Sequence, residues 1–173
     1  MLSIRKYEEK DYEGVCYACL NSDEDDDMSD ELCEFVLHTF CEYYIEKEPE
    51  NCFVLDDDGK AVGYIICAEN FDKFKEVFYA EYYPRSLHLG QGRLDWANEA
   101  YLLHEKYKAD YPAHLHIDIL PAYQRGGNGG MDLFMQDPQI FRSGHGNLLS
   151  WHRGQNGGNF TEMKSNYITI LII

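Results

Sequence analysis

HLHIDILPAYQRGGNGG, residues 114–130, is the stretch from which the rest of the chain is read. It begins as an alternating, partly β-branched run, His114-Leu115-His116-Ile117-Asp118-Ile119-Leu120. Pro121 stops that strand, because proline cannot donate to a sheet ladder. A loop carrying Gln124-Arg125-Gly126-Gly127-Asn128-Gly129-Gly130 comes next. Such a loop lets backbone amides approach an anion, and a helix following it would lend its positive end. A pyrophosphate-bearing cofactor is therefore one reading of the stretch. A plain glycine-rich turn is the other, and spacing alone does not separate them.

Outward from this stretch the charge is uneven. The 173 residues hold 31 acidic and 15 basic side chains, a net charge of −16. Residues 1–60 carry 19 acids and 5 bases, residues 61–129 carry 9 and 7, and residues 130–173 carry 3 of each. This balance argues against duplex nucleic acid or an anionic membrane as the partner. The length fits one domain with a real core. No run is long and apolar enough to span a membrane, and the charged N-terminus lacks the apolar segment of a secretory signal, so a cytoplasmic chain is expected. Cys16, Cys19, Cys33, Cys41, Cys52 and Cys67 stand at apolar positions and read as small buried hydrophobes. Cys16-x-x-Cys19 could be half a metal site, but no second such pair exists.

Upstream, residues 2–7 alternate and predict a first strand. Asp11 is placed to cap a helix through Val15, Cys16, Cys19 and Leu20. The acidic run at 23–27 lacks the glycine and distal glutamate of a calcium loop and reads as a solvated surface. Ser29-Asp30-Glu31 can start a second helix, with Leu32, Phe35, Val36, Thr39, Phe40 and Tyr43 as its apolar face. Residues 51–55 and 61–68 predict a β-hairpin about the turn Asp56-Asp57-Asp58-Gly59-Lys60. Residues 70–112 are aromatic and partly helical, and Pro84 divides them. Their aromatics read chiefly as core and secondarily as the lining of a substrate cleft.

This order of parts resembles the GCN5-related N-acetyltransferase superfamily. The family signature, Gln/Arg-x-x-Gly-x-Gly/Ala after a fourth strand, stands here as Gln124-Arg125-Gly126-Gly127-Asn128-Gly129. The string at 111–121, YPAHLHIDILP, is similar to the bacterial and O-GlcNAcase-associated branch of acetyltransferase-like domains. The resemblance covers about residues 1–130. It implies an α/β (α+β) fold with a mixed, mainly antiparallel sheet flanked by helices, over a single domain spanning residues 1–173.

The resemblance also implies acetyl-CoA as co-substrate and acetyl transfer to an amine of a small molecule, aminosugar or peptide. The amides of Arg125, Gly126, Gly127, Asn128, Gly129 and Gly130, with Gln124, would face the CoA pyrophosphate. The backbone of Ile119 and Leu120 would pair with the pantetheine arm, and an amide near Ile119 would polarise the thioester carbonyl. A base must take a proton from the attacking amine. His116 and Asp118 are the nearest candidates, with Glu81 and Glu99 from the variable region. His114, His116 and Asp118 share one strand face. Such an HxHxD pattern binds zinc in other settings, but the expected role is within the sheet or the acceptor cleft, and no metal is expected. A monomer or homodimer is expected, without a nucleic-acid or membrane partner.

After Gly130 the family pattern breaks. The family continues with an amphipathic helix, a fifth strand, and a helix whose tyrosine often protonates the leaving thiolate. Here Pro138 would break a helix after two turns, and residues 141–159 are glycine-rich without periodicity. A reading-frame slip over residues 131–159 is one hypothesis, since a back-translation read one nucleotide later can yield helix-like and strand-like strings. Resequencing the gene tests it. A divergent tail is the other reading, and Tyr167-Ile168-Thr169-Ile170-Leu171-Ile172-Ile173 retains strand propensity. The missing tyrosine keeps a second function open: a catalytically impaired acetyltransferase-like module that binds CoA or a protein partner.

Overall fold

A computed structural model describes residues 1–22 and 28–124, together with the backbone of 148–149. The loop at 125–130, the acidic run at 23–27, and the tail apart from those two residues lie outside the described residues. So do the reading-frame hypothesis and the terminal strand expectation.

Five strands form one sheet in the order β1-β2-β3-β4-β5 among the described residues. They are β1 Leu2–Lys6, β2 Phe53–Asp57, β3 Lys60–Ala68, β4 Ala113–Ile119 and β5 Leu148–Leu149. The first three pairings are antiparallel and β4–β5 is parallel. The expected mixed, mainly antiparallel sheet is therefore what forms. β5 falls in a segment whose composition predicted no element. Pairing to a neighbouring edge overrides weak local propensity there.

The β2–β3 hairpin closes through Asp58 and Gly59, both at positive φ (49° and 91°). A two-residue turn of that hand matches the twist of the flanking strands. The Asp56 carboxylate accepts from the Gly59 N–H at 2.9 Å and secures the turn.

Helix α1, Tyr12–Leu20, lies on β3. A Cβ at Gly14 would sit 3.0 Å from the Ala61 side chain, so glycine permits this close crossing. Asp11 precedes the helix as expected, but its carboxylate does not cap it. Instead it receives Arg5 Nη1 and Nη2 at 2.6 and 2.8 Å and the Glu8 N–H at 3.0 Å. A buried carboxylate gains more from a guanidinium fork than from one helix amide.

Helix α2, Asp30–Phe40, is capped by Ser29, whose Oγ accepts from the Leu32 N–H at 3.3 Å. The chain breaks at Cys41, and Tyr43 belongs to a separate short helix, α3 Glu42–Lys47. Helix α4, Phe71–Val77, continues into a π turn, Phe78–Tyr82, and a 3-10 segment, Tyr83–Leu89. Pro84 sits in the first turn of that 3-10 segment, where its missing N–H is tolerated. The division expected at Pro84 falls instead at Gly90, at φ 90°, before helix α5, Gln91–Tyr107.

The two sheet faces have separate cores. One gathers Phe53, Leu55, Val62, Ile65, Leu115, Ile117 and Ile119. The other packs Val54, Tyr64 and Ile66 against α1, α3 and α4. Its aromatic centre, Tyr43, Tyr44, Phe71, Phe74, Phe78, Tyr82 and Tyr101, is buried, so most of the aromatic stretch is core. No described helix is long and apolar enough to cross a membrane.

Candidate active site around strand β4

Strand β4 pairs with β3 in the register Gly63↔Ile119, Tyr64↔Asp118 and Ile66↔His116. The Leu120 N–H donates to the Val62 carbonyl at 3.0 Å, which sets the phase of the ladder. In an antiparallel pair, alternate residues turn their backbone groups to opposite sides. Ile119, Ile117 and Leu115 therefore direct their N–H and C=O groups away from β3. On that side, β5 pairs only with Ala113 and His114. Among the described residues, no strand pairs with the C-terminal part of this edge.

Gln124 closes the end of the edge. After β4 the chain makes one helical turn, α6 Pro121–Gln124, with the Tyr123 N–H on the Leu120 carbonyl at 2.8 Å. Gln124 Nε2 then donates to the Ile119 carbonyl and to the Ser22 carbonyl, each at 2.6 Å. The signature glutamine thus ties the start of the glycine loop to the end of β4 and to the segment after α1. The Ile119 carbonyl is occupied, while its N–H points along the same edge. Arg125, Gly126, Gly127, Asn128, Gly129 and Gly130 follow outside the described residues.

His114, His116 and Asp118 do share one face, the face packed on α1 and α4, and all three are buried. Sequence reasoning missed the residue that organises two of them. The Tyr64 hydroxyl donates a short hydrogen bond to Asp118 Oδ2 and lies 2.9 Å from His116 Nδ1. His116 Nδ1 stands 3.6 Å from Asp118 Oδ2. Alternation put Tyr64 on β3 but could not show that the β3–β4 register would set it opposite Asp118.

Burial pushes His116 down to about 3 and His114 well below the usual imidazole range. Burial, then the Asp118 charge, pushes the Tyr64 phenol well above its ordinary value. At neutral pH the His116 imidazole is neutral and the Tyr64 phenol un-ionised. Because the phenol proton goes to Asp118, His116 Nδ1 is assigned as the N–H that donates to the phenol oxygen. His116 Nε2 and both ring nitrogens of His114 are buried with no hydrogen-bond partner among the described residues.

The other two base candidates lie elsewhere. Glu81 is on the π turn and pairs with Lys47 Nζ at 2.6 Å. Glu99 is on an exposed face of α5. A second acidic site joins α3 to the 3-10 segment. There Glu42 receives Arg85 Nη1 at 2.8 Å, and burial is the main cause raising its carboxyl.

No protein-family model and no curated protein sequence matches this chain. Solved structures do match. The chain is similar to the crystal structure of SsHAT at 26% identity, with a TM-score of 0.66, over 82% of this chain and 75% of that one. It is also similar to the apo form of an agmatine N-acetyltransferase mutant at 17% identity, with a TM-score of 0.50, over 85% and 73%. The second likeness is one of fold. The sheet and its flanking helices have the GCN5-related acetyltransferase fold.

Proposed function

We propose that the protein is an acetyl-CoA-dependent N-acetyltransferase acting on a cationic amine, as a small molecule, an aminosugar or a peptide. The observation that carries this reading is the edge of β4. Its outward amides at Ile117 and Ile119 lead directly into Gln124 and the glycine loop. An acyl-pantetheine arm has amide groups of its own and can add to such an edge as a strand does. The described residues that support this reading are an edge of the right phase and a tied turn, and the sequence that follows is rich in glycine, which lets phosphate oxygens come close.

In this reading the Ile119 N–H faces the thioester carbonyl, where a fixed donor stabilises developing negative charge. Residues 125–130 supply further amides to the pyrophosphate. The amine loses its proton to a base, and its nitrogen forms the new bond to the acetyl carbon as the thiolate leaves. Four groups are candidates for the base. Burial holds the His116 imidazole at about 3, which makes it a weak proton acceptor at neutral pH. The acidic surface supports a cationic acceptor. The string at 111–121 supports a place near the bacterial and O-GlcNAcase-associated branch. A cytoplasmic location and a monomer or homodimer complete the proposal.

Thiol release from acetyl-CoA across a panel of amines tests the function. Turnover with one cationic amine supports it. Binding of acetyl-CoA without turnover on any amine favours the catalytically impaired module instead. Gly127→Asp places a carboxylate against the proposed pyrophosphate position and is expected to abolish binding in calorimetry. Unchanged affinity would show that the loop is not the cofactor loop.

A further inference from the structure

We propose that Cys19, His116 and Asp118 form a buried site for a divalent cation, and that zinc is the ion whose chemistry fits them. One ligand atom from each residue lies within 4.8 Å of the other two, and all three residues are buried. Sequence reasoning met only halves of this group, the Cys16-x-x-Cys19 pair and the His114-x-His116-x-Asp118 alternation. The packing of α1 across β4 joins them.

The ligand set suits zinc, which takes thiolate, imidazole and carboxylate in a tetrahedral shell. Ligand atoms about 2.0–2.3 Å from zinc stand about 3.3–3.8 Å apart, so the three groups must close by about one ångström. Charge favours the same ion. A Cys19 thiolate and the Asp118 carboxylate together neutralise a divalent cation, and a buried site with no net charge has the least desolvation penalty. The Cys19 thiol would give up its proton to solvent as the metal binds, and no redox change is involved.

Two further observations point to a ligand. His116 Nε2 is buried with no hydrogen-bond partner among the described residues, which leaves one imidazole lone pair unsatisfied. The Tyr64 hydroxyl already contacts both His116 and Asp118, as an outer hydrogen-bonding residue does when it orients metal ligands. A metal here would hold α1 to β4 beside Ile119. It would also remove His116 and Asp118 from the list of bases, leaving Glu81 and Glu99.

The test uses the full chain, stripped with chelator, dialysed against zinc chloride and measured by elemental analysis. About one zinc per chain is expected, with a raised Tm. Cobalt substitution is expected to show thiolate-to-cobalt charge transfer and tetrahedral visible bands. Cys19→Ala and His116→Gln should each abolish stoichiometric binding. Cys33→Ala, outside the cluster, should leave it intact, and Tyr64→Phe should weaken it about 10- to 100-fold. Less than a tenth of an equivalent in the unaltered chain overturns the site. So does full zinc loading of a folded Cys19→Ala or His116→Gln protein. If neither variant folds, the cobalt spectrum of the unaltered chain decides, and absence of a thiolate band counts against the site.

Discussion

Gln124 Nε2 donates to the carbonyl of Ile119 at 2.6 Å, so the glutamine of the loop signature closes the last outward acceptor of β4. The same amide reaches the Ser22 carbonyl after α1 at 2.6 Å. One side chain therefore sets the loop's starting point against both a strand and a helix. Gln124→Ala removes both bonds. The expected result is a stability loss of about 1 kcal/mol and an acetyl-CoA Kd raised about tenfold, since 1.4 kcal/mol is tenfold in binding. Calorimetry of the variant checks this, and an unchanged Kd would mean that the tie does not position the loop.

Gly63 stands opposite Ile119. A Cβ there would lie 3.0 Å from the Asp118 carbonyl oxygen and from Ile119 Cγ1, and 3.1 Å from Ile119 Cα. Gly63→Ala must push β4 outward. The expected loss is about 1–3 kcal/mol, accompanied by weaker acetyl-CoA binding because Ile119 moves. Gly59→Ala is the contrast. Its φ of 91° strains any side chain, but nothing lies within 4 Å, so stability falls while affinity holds. Equal effects of the two variants on affinity would remove the link between Gly63 and the edge.

Acid should unfold this protein early. Burial holds His104 at about 4, His116 at about 3 and His114 well below the usual range. In the unfolded chain each titrates near 6.5. Below that pH the unfolded state binds more protons, so stability is full above about 6.5 and falls as the pH drops toward the folded values. At pH 5 each fully buried imidazole accounts for about 2 kcal/mol of the loss. Urea midpoints at pH 7.5 and 5.0 measure it, and a midpoint that does not fall contradicts the burial of these rings.

Arg5 joins three parts of the chain. It holds Asp11 through both Nη atoms and Asp56 through Nε and Nη2 at 2.9 and 2.7 Å. Burial opposes the charge on Asp11, yet Arg5 and the Glu8 N–H keep its carboxyl below the usual range. Arg5→Ala strands that carboxylate and should destabilise the fold by about 3 kcal/mol. Arg5→Lys should recover little, because one ammonium cannot span both carboxylates. Thermal unfolding of the pair checks both expectations.

Much of the fold was legible along the chain, because periodicity, caps and turns are local properties. Residues 114–120 alternate as a buried strand, Pro121 ends it, Asp58-Gly59 sits at a hairpin turn, and Ser29 caps α2. The errors were also physical. Asp11 stood where a cap belongs but was drawn to Arg5, six residues earlier on β1. Leu148 and Leu149 pair with β4 from a segment with no strand pattern of its own.

The sequence by itself determined that a strand ends in proline and runs into a glycine loop, and that His114, His116 and Asp118 share a face. A two-residue repeat and a fixed φ suffice for that. Only the tertiary structure decided what those groups meet. Register set Tyr64 against Asp118, and the crossing of α1 brought Cys19 to the same point. Ladder phase turned the Ile117 and Ile119 amides away from β3. These depend on contacts between residues some 50 to 100 positions apart, and a chain read in order contains no distances of that kind.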